Sequence, residues 1–181
     1  MEKKLDPSHL DVVAFARDGA SLQGQSPLTA LPRLLDEQVA GVLQAGPVVW
    51  HLEGRLVPQS GGADQIWLDL QATLALPMQC QRCLTPVLET VAAERSFRFA
   101  ADEATAAALD DEAEEDILVI SRDFDALALV EDELILALPL VPLHEVCPQT
   151  MPMSAVDPDF ESAAAKPNPF GVLAGLKTGK S

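Results

Sequence analysis

VVWHLEGRLV, residues 48–57, decides the fold, because its apolar and polar side chains alternate almost one by one. That period of two is typical of a strand with one buried face. The alternation returns in IWLDLQATLAL, residues 66–76, after a turn-forming segment, QSGGAD at 59–64. Two alternating runs joined by a short turn predict an antiparallel hairpin.

The strand pattern resumes after CQRC, residues 80–83, through Val87, Val91, Phe97 and Phe99. The two cysteines are therefore predicted to lie in a connection between two strands, at one end of an antiparallel sheet.

The segment after this sheet is acidic and then apolar. Residues 102–116 contain many carboxylates and no aromatic residue, which predicts a solvated, flexible loop. ILVI at 117–120 predicts a brief strand. Asp123 is predicted to cap a helix that Pro139 and Pro142 end. Its apolar stripe is formed by Leu127, Val130, Leu134 and Leu138.

These patterns predict an α+β fold: an antiparallel sheet of about five or six short strands, covered on one side by a C-terminal amphipathic helix. A barrel-like closure of the sheet is an open alternative. Residues 1–147 are expected to form a single domain, and residues 148–181 a mostly disordered tail that carries KPNPFGVLAGLK. The first forty residues are the hardest to assign.

The charge limits the partners. Twelve Lys and Arg oppose 28 Asp and Glu, a net charge of −16, which argues against wrapping of a phosphate backbone and therefore against a DNA partner. No apolar segment is long enough to span a membrane, and MEKK leads into polar sequence instead of a signal peptide. We expect a cytoplasmic protein without a membrane partner, whose three cysteines are reduced.

Cys80 and Cys83 have the spacing of two metal ligands on one tight turn. His144 and Cys147 follow the predicted helix with the same separation, so one structural zinc ion could be held by three thiolates and one imidazole. The alternative is that all four are ordinary turn and loop residues. Thiol exchange is disfavoured, because the pair leads back into a strand and does not open a helix.

Catalytic residues are not predicted. Glu131, Asp132 and Glu133 are consecutive on the predicted helix and point about 100° apart, so they are interpreted as a solvated surface and not as a paired acid and base. Gly61 and Gly62 lack the lysine of a phosphate-binding loop. We therefore expect no enzyme and no cofactor besides the zinc ion.

Three blocks together resemble one family. CQRCLTPV at 80–87, EDELILALPLVPLHEVC at 131–147 and KPNPFGVLAGLK at 166–177 are similar to the YceD family of bacterial large ribosomal RNA subunit accumulation proteins. The resemblance implies a non-enzymatic cytoplasmic factor for synthesis, processing or stability of the 23S ribosomal RNA. It also suggests partner contacts at Glu131, Glu133, Lys166, Pro167, Asn168, Pro169, Phe170, Leu173 and Leu176.

Two mechanisms are compatible with such a role. The acidic surface can dock a basic ribosomal protein or assembly factor, which the net charge favours. Alternatively, Arg82, Arg95 and Arg98 can form a basic patch beside Phe97 or Phe99 and bind single-stranded RNA, such as the 23S precursor. Packing of both phenylalanines in the core is the interpretation that we favour over an exposed patch. A zinc-stapled interaction module unrelated to ribosomes is the third alternative.

Overall fold

The computed structural model describes residues 5–41, 43–110 and 112–149. It contains one five-stranded sheet with helices, so the α+β class is confirmed. The strands are β1 (Ser21–Ser26), β2 (Val48–Val57), β3 (Gln65–Gln79), β4 (Pro86–Ala100) and β5 (Asp116–Val119).

The sheet has the order β1-β2-β3-β4-β5 and is open, so barrel closure is not formed by the described strands. The first four strands are antiparallel, but β5 pairs parallel to β4. The prediction of a wholly antiparallel sheet was therefore wrong. A parallel neighbour needs a crossover connection, and the segment between Ala100 and Asp116 provides it.

The alternating runs form the predicted hairpin of β2 and β3, in which Leu52 lies opposite Leu70. Both leucines are buried, while Glu53 and Asp69 lie opposite each other on the other face. Burial raises the pKa of Asp69, but hydrogen bonds from Arg55 and Ser96 outweigh this and lower it below its usual value. The strands were expected to be short, yet β3 and β4 each have 15 residues.

The helices are α1 (Val12–Arg17), α2 (Pro32–Asp36), α3 (Glu103–Asp110) and α4 (Ala126–Leu136), with a 3-10 turn at Leu28–Ala30. α1 packs closely on β2, where a Cβ atom added to Gly54 would lie 2.6 Å from the Phe15 ring. Among the described residues, no helix has the length and apolarity needed to cross a membrane.

The acidic segment 102–116 is not a featureless loop, because it contains α3 and the first residue of β5. Asp102 caps α3 by accepting a hydrogen bond from the Thr105 N–H at 2.8 Å. Alanine has the highest helix propensity, and α3 is rich in alanine. Net charge alone was therefore a poor guide to this segment.

α4 begins two residues later than predicted. Asp125 is its N-cap, accepting from the Ala128 N–H at 2.9 Å, whereas Asp123 lies 2.7 Å from the His9 ring nitrogen Nδ1. Val130 and Leu134 of the predicted stripe are fully buried. The helix ends at Leu136, and the chain then runs toward the far end of β3.

Candidate metal centre

The cysteine pair lies in the turn that joins β3 to β4. The Cys80 N–H donates to the Thr85 carbonyl at 3.0 Å, and the Leu84 N–H donates to the Cys80 carbonyl at 2.8 Å. Leu84 adopts a φ of 59°, in the left-handed region that closes such a turn. This knuckle buries both Cys80 and Cys83.

The loop after α4 brings the other two ligands to the knuckle. The Gln81 N–H donates to the Pro142 carbonyl at 2.9 Å, which attaches the loop directly to the turn. His144 and Cys147 follow, and all four ligand atoms lie within 4.8 Å of one another. The two pairs, which are separated by about sixty residues in the sequence, therefore meet.

The ligands also contact each other. The His144 N–H donates to Cys80 Sγ at 3.4 Å, and Cys83 Sγ lies 3.4 Å from His144 Nδ1. Thr85 Oγ1 is 3.1 Å from Cys83 Sγ. The sequence analysis did not predict this contact, although a threonine two residues after Cys83 was a signal for it. Arg82 reaches Cys147 Sγ at 3.9 Å.

The electrostatics favour thiolates at the knuckle. Burial disfavours the charged form of Cys80, but N–H groups of Cys83, His144 and Arg82 more than offset it and lower the pKa of the thiol to about 5. A hydrogen bond with Thr85 lowers the pKa of Cys83. The hydrogen bond with Cys80 raises the pKa of His144, and burial raises that of Cys147.

This donor set fits zinc. With Zn–S bonds of about 2.3 Å, sulfur atoms at the corners of a tetrahedron are about 3.8 Å apart. A spread of at most 4.8 Å closes to that geometry with side-chain movements of about 1 Å or less. Three thiolates and one imidazole complete the coordination, and a closed set of four protein ligands is typical of a structural zinc site.

Glu131 is not on a solvated helix surface, contrary to the prediction. It is 5% exposed and accepts hydrogen bonds from the backbone N–H groups of Arg33 and Leu34 at 2.8 and 3.1 Å. These are the second and third residues of α2, whose N-cap residue, Leu31, has an apolar side chain that cannot accept a hydrogen bond from them. Glu131 therefore caps α2 from 98 residues away in the sequence, and the Arg33 guanidinium donates to the same carboxylate.

Glu133 is also buried, at 7% exposure, with Oε2 3.3 Å from Arg95 Nε. Burial raises the pKa of its carboxyl, and the Arg95 charge opposes that rise. Contacts of Glu131 and Glu133 with a partner stay a prediction, and both side chains already face arginines of their own chain.

The predicted basic and aromatic patch does not form. Phe97 and Phe99 are buried, so they cannot stack on RNA bases, and the packing interpretation is correct. Arg95 pairs with Asp116, and Arg98 with Glu115. Alternation along β4 already indicated that both rings face inward.

The remaining predicted contact residues lie outside the described part of the chain. They are Lys166, Pro167, Asn168, Pro169, Phe170, Leu173 and Leu176, and the tail to which they belong lies outside it from residue 150 onward.

Comparisons with known proteins agree on one family. The profile of the family described as "Large ribosomal RNA subunit accumulation protein YceD" matches residues 68–177. A relative of the same description from Haemophilus influenzae is 33% identical over 183 residues, covering 98% of this chain and 99% of the relative. No solved structure matches the chain. The chain therefore belongs to the YceD family.

Proposed function

We propose that this protein is a non-enzymatic cytoplasmic factor that supports accumulation of the large-subunit 23S ribosomal RNA. The observation that carries the proposal is the similarity over nearly its whole length to a relative described as a large ribosomal RNA subunit accumulation protein. Similarity of that extent covers both halves of the candidate metal centre as well as the sheet.

Docking of a basic ribosomal protein or assembly factor is the mechanism that the charges favour. A net charge of −16 attracts a basic protein and repels a phosphate backbone. Arg95 and Arg98 are engaged by carboxylates, and Phe97 and Phe99 are buried, so the described surface offers direct RNA binding little support.

One structural zinc ion is proposed at Cys80, Cys83, His144 and Cys147. When bound, zinc supplies a cross-link between the β3–β4 knuckle and the loop after α4, and its four protein ligands leave no open position for a reacting molecule. The chain's own contribution is to align these ligands through the N–H group of His144 and the Gln81 to Pro142 hydrogen bond.

The experiment that tests the proposed function is a sedimentation profile of ribosomal particles from cells that lack the protein. We expect fewer large subunits relative to small subunits, and recovery when the wild-type chain is supplied again. An unchanged profile would contradict the proposal, and so would a deficit that the wild-type chain does not correct.

A further inference from the structure

Exposed apolar side chains are concentrated beside the candidate metal centre. Eight large apolar residues are exposed in the described part of the chain, and five of them lie in the knuckle or in the loop after α4. We call these five the knuckle patch: Leu84, Leu140, Val141, Leu143 and Val146.

The patch is held in place by the same contacts that assemble the candidate site. Leu84 follows Cys83, Leu143 precedes His144 and Val146 precedes Cys147. Val141 precedes Pro142, whose carbonyl accepts the hydrogen bond from the knuckle. The apolar side chains are therefore presented on a fixed part of the structure and do not belong to a free tail.

Leu84 combines a strained backbone conformation with an exposed apolar side chain. Its φ of 59° is a conformation that glycine adopts readily and that is unfavourable for a leucine. Leu84 is also 63% exposed, so burial of the side chain does not compensate for the strain. Backbone strain is concentrated at functional sites, and contiguous exposed apolar patches mark surfaces that bind other molecules.

The chemistry of the knuckle patch selects protein over RNA. All five side chains are aliphatic, so they offer no ring for stacking on a base. Arg82 and Glu145 lie within the same two segments and offset each other in charge. The electrostatic field at the patch is then set by the net charge of the whole chain, which is −16 and attracts a positively charged partner.

We propose that the knuckle patch docks an amphipathic segment of a basic protein, with aliphatic side chains of the partner against the patch and its Lys or Arg residues toward the acidic body. This inference rests on the proposed function, because it names the surface and the class of partner. The occupants that it excludes are RNA, a second copy of this chain and residues 163–181 of the same chain.

A photo-crosslinking experiment tests the surface with a defined probe. The full-length protein carries a photoreactive phenylalanine analogue in place of Leu140 and is mixed with the proteins of purified large ribosomal subunits, freed of RNA. The control carries the analogue in place of Val49, which is 42% exposed on the open face of the sheet. We expect crosslinks to strongly basic proteins from position 140 and few from position 49.

Every other result in this experiment overturns the inference. A crosslink to a second copy of the chain or to residues 163–181 would identify a different occupant, and so would a crosslink to 23S RNA in a parallel reaction to which that RNA is added. Equal yields from the two positions, or no crosslink, would show that the patch is not a docking surface.

Leu84→Gly separates binding from folding. Glycine relieves the positive φ, so the thermal stability of the variant should equal or exceed that of the wild type. The crosslink yield should nevertheless fall, by about tenfold when Leu84→Gly is combined with Leu143→Ser, because two apolar contacts are removed. Val49→Ser, as the matched control, should leave the yield unchanged; an unchanged yield in the double variant would contradict the inference.

The proposed function can fail separately. If cells without the protein show a deficit of large subunits that the Leu84→Gly, Leu143→Ser variant restores as well as wild type does, the patch is not the docking surface but the proposed function holds. If no deficit exists, the proposed function fails whatever the crosslinks show.

Discussion

Glu131 offers a sharp test of how the fold is held together, since it caps α2 from α4. Its carboxylate accepts four hydrogen bonds: two from the backbone N–H groups of Arg33 and Leu34, and two from the Arg33 guanidinium at 3.1 and 3.0 Å. The side chain of Glu131 is 6% exposed and that of Arg33 is 53% exposed. The cap is therefore buried, and only the guanidinium end is partly in water.

Glu131→Gln keeps an oxygen for the backbone donors but replaces the charged acceptor of the guanidinium with an amide. Hydrogen bonds to a charged group contribute about 1.5–3 kcal/mol each, and the exposure of Arg33 reduces that amount. We expect the free energy of unfolding to fall by about 2 kcal/mol. Glu131→Ala also strands two backbone donors, so we expect a loss of about 4 kcal/mol.

Asp132→Asn is the matched control, because Asp132 pairs with the same guanidinium but is 48% exposed. An exposed pair contributes about 1 kcal/mol or less. Urea denaturation of the three variants and the wild type measures the differences, and melting temperatures should follow, with Glu131→Gln about 4–8 °C lower. Equal losses for Glu131→Gln and Asp132→Asn would refute the assignment of Glu131 as a buried cap.

Four further outcomes are expected. Elemental analysis of the purified, tag-free protein should find about one zinc ion per chain. The Cys80→Ser variant should contain less zinc and melt at a lower temperature. Equal zinc content in the variant and the wild type would contradict the site. Asp69→Asn should lower the free energy of unfolding at neutral pH, because hydrogen bonds from its arginine and serine neighbours outweigh burial and hold the pKa of Asp69 below 3.8. The ionised carboxylate stabilises the fold only above the lowered pKa, so the difference in free energy of unfolding between variant and wild type, measured in urea titrations, should shrink as the pH falls below about 3.8. A difference that does not change with pH would contradict this prediction. Gly54→Ala should lower the free energy of unfolding by about 1–3 kcal/mol in the same titrations, because the new methyl group meets the α1 backbone at 2.9 Å. Gly62→Ala is the control and should lower it little, since only a flexible side chain lies 3.5 Å from the new methyl group. Similar losses for the two variants would refute the close approach of α1 to Gly54. Deleting residues 163–181 should leave the melting temperature nearly unchanged and impair the recovery of large subunits, and a large fall in melting temperature would overturn that prediction.

Local periodicity was sufficient to predict the central strands. Alternation in β2 and β3 identified the buried face and the hairpin, because every second side chain of a strand lies on the same face of the sheet. Alternation does not show, however, whether a strand pairs parallel or antiparallel to its neighbour. The parallel placement of β5 depends on the crossover through α3, which the negative charge of the segment concealed.

Contacts between distant segments were out of reach of local patterns. Asp123 and Asp125 are equally good N-cap residues by type. In the structure Phe124 pairs with Leu10 in an antiparallel bridge, which is a contact with a distant segment, and α4 begins only after Asp125. Glu131 caps α2 across 98 residues, and no spacing rule relates a helix start to an acceptor so far away. The same limit applies to Leu84, whose positive φ contradicts its residue type.

The ligand pairs of the candidate metal centre were predictable, because each pair has a recognisable spacing. Their meeting was not, since it requires α4 to end where the loop can reach the far end of β3. In the structure the two segments are joined by the hydrogen bond from the Gln81 N–H to the Pro142 carbonyl and by that from the His144 N–H to Cys80 Sγ.

The ratio of 23S to 16S ribosomal RNA in cells lacking this protein tests the proposed role most directly. The proposal predicts a lowered ratio that returns to normal when the wild-type chain is restored. A normal ratio in the absence of the protein would contradict it.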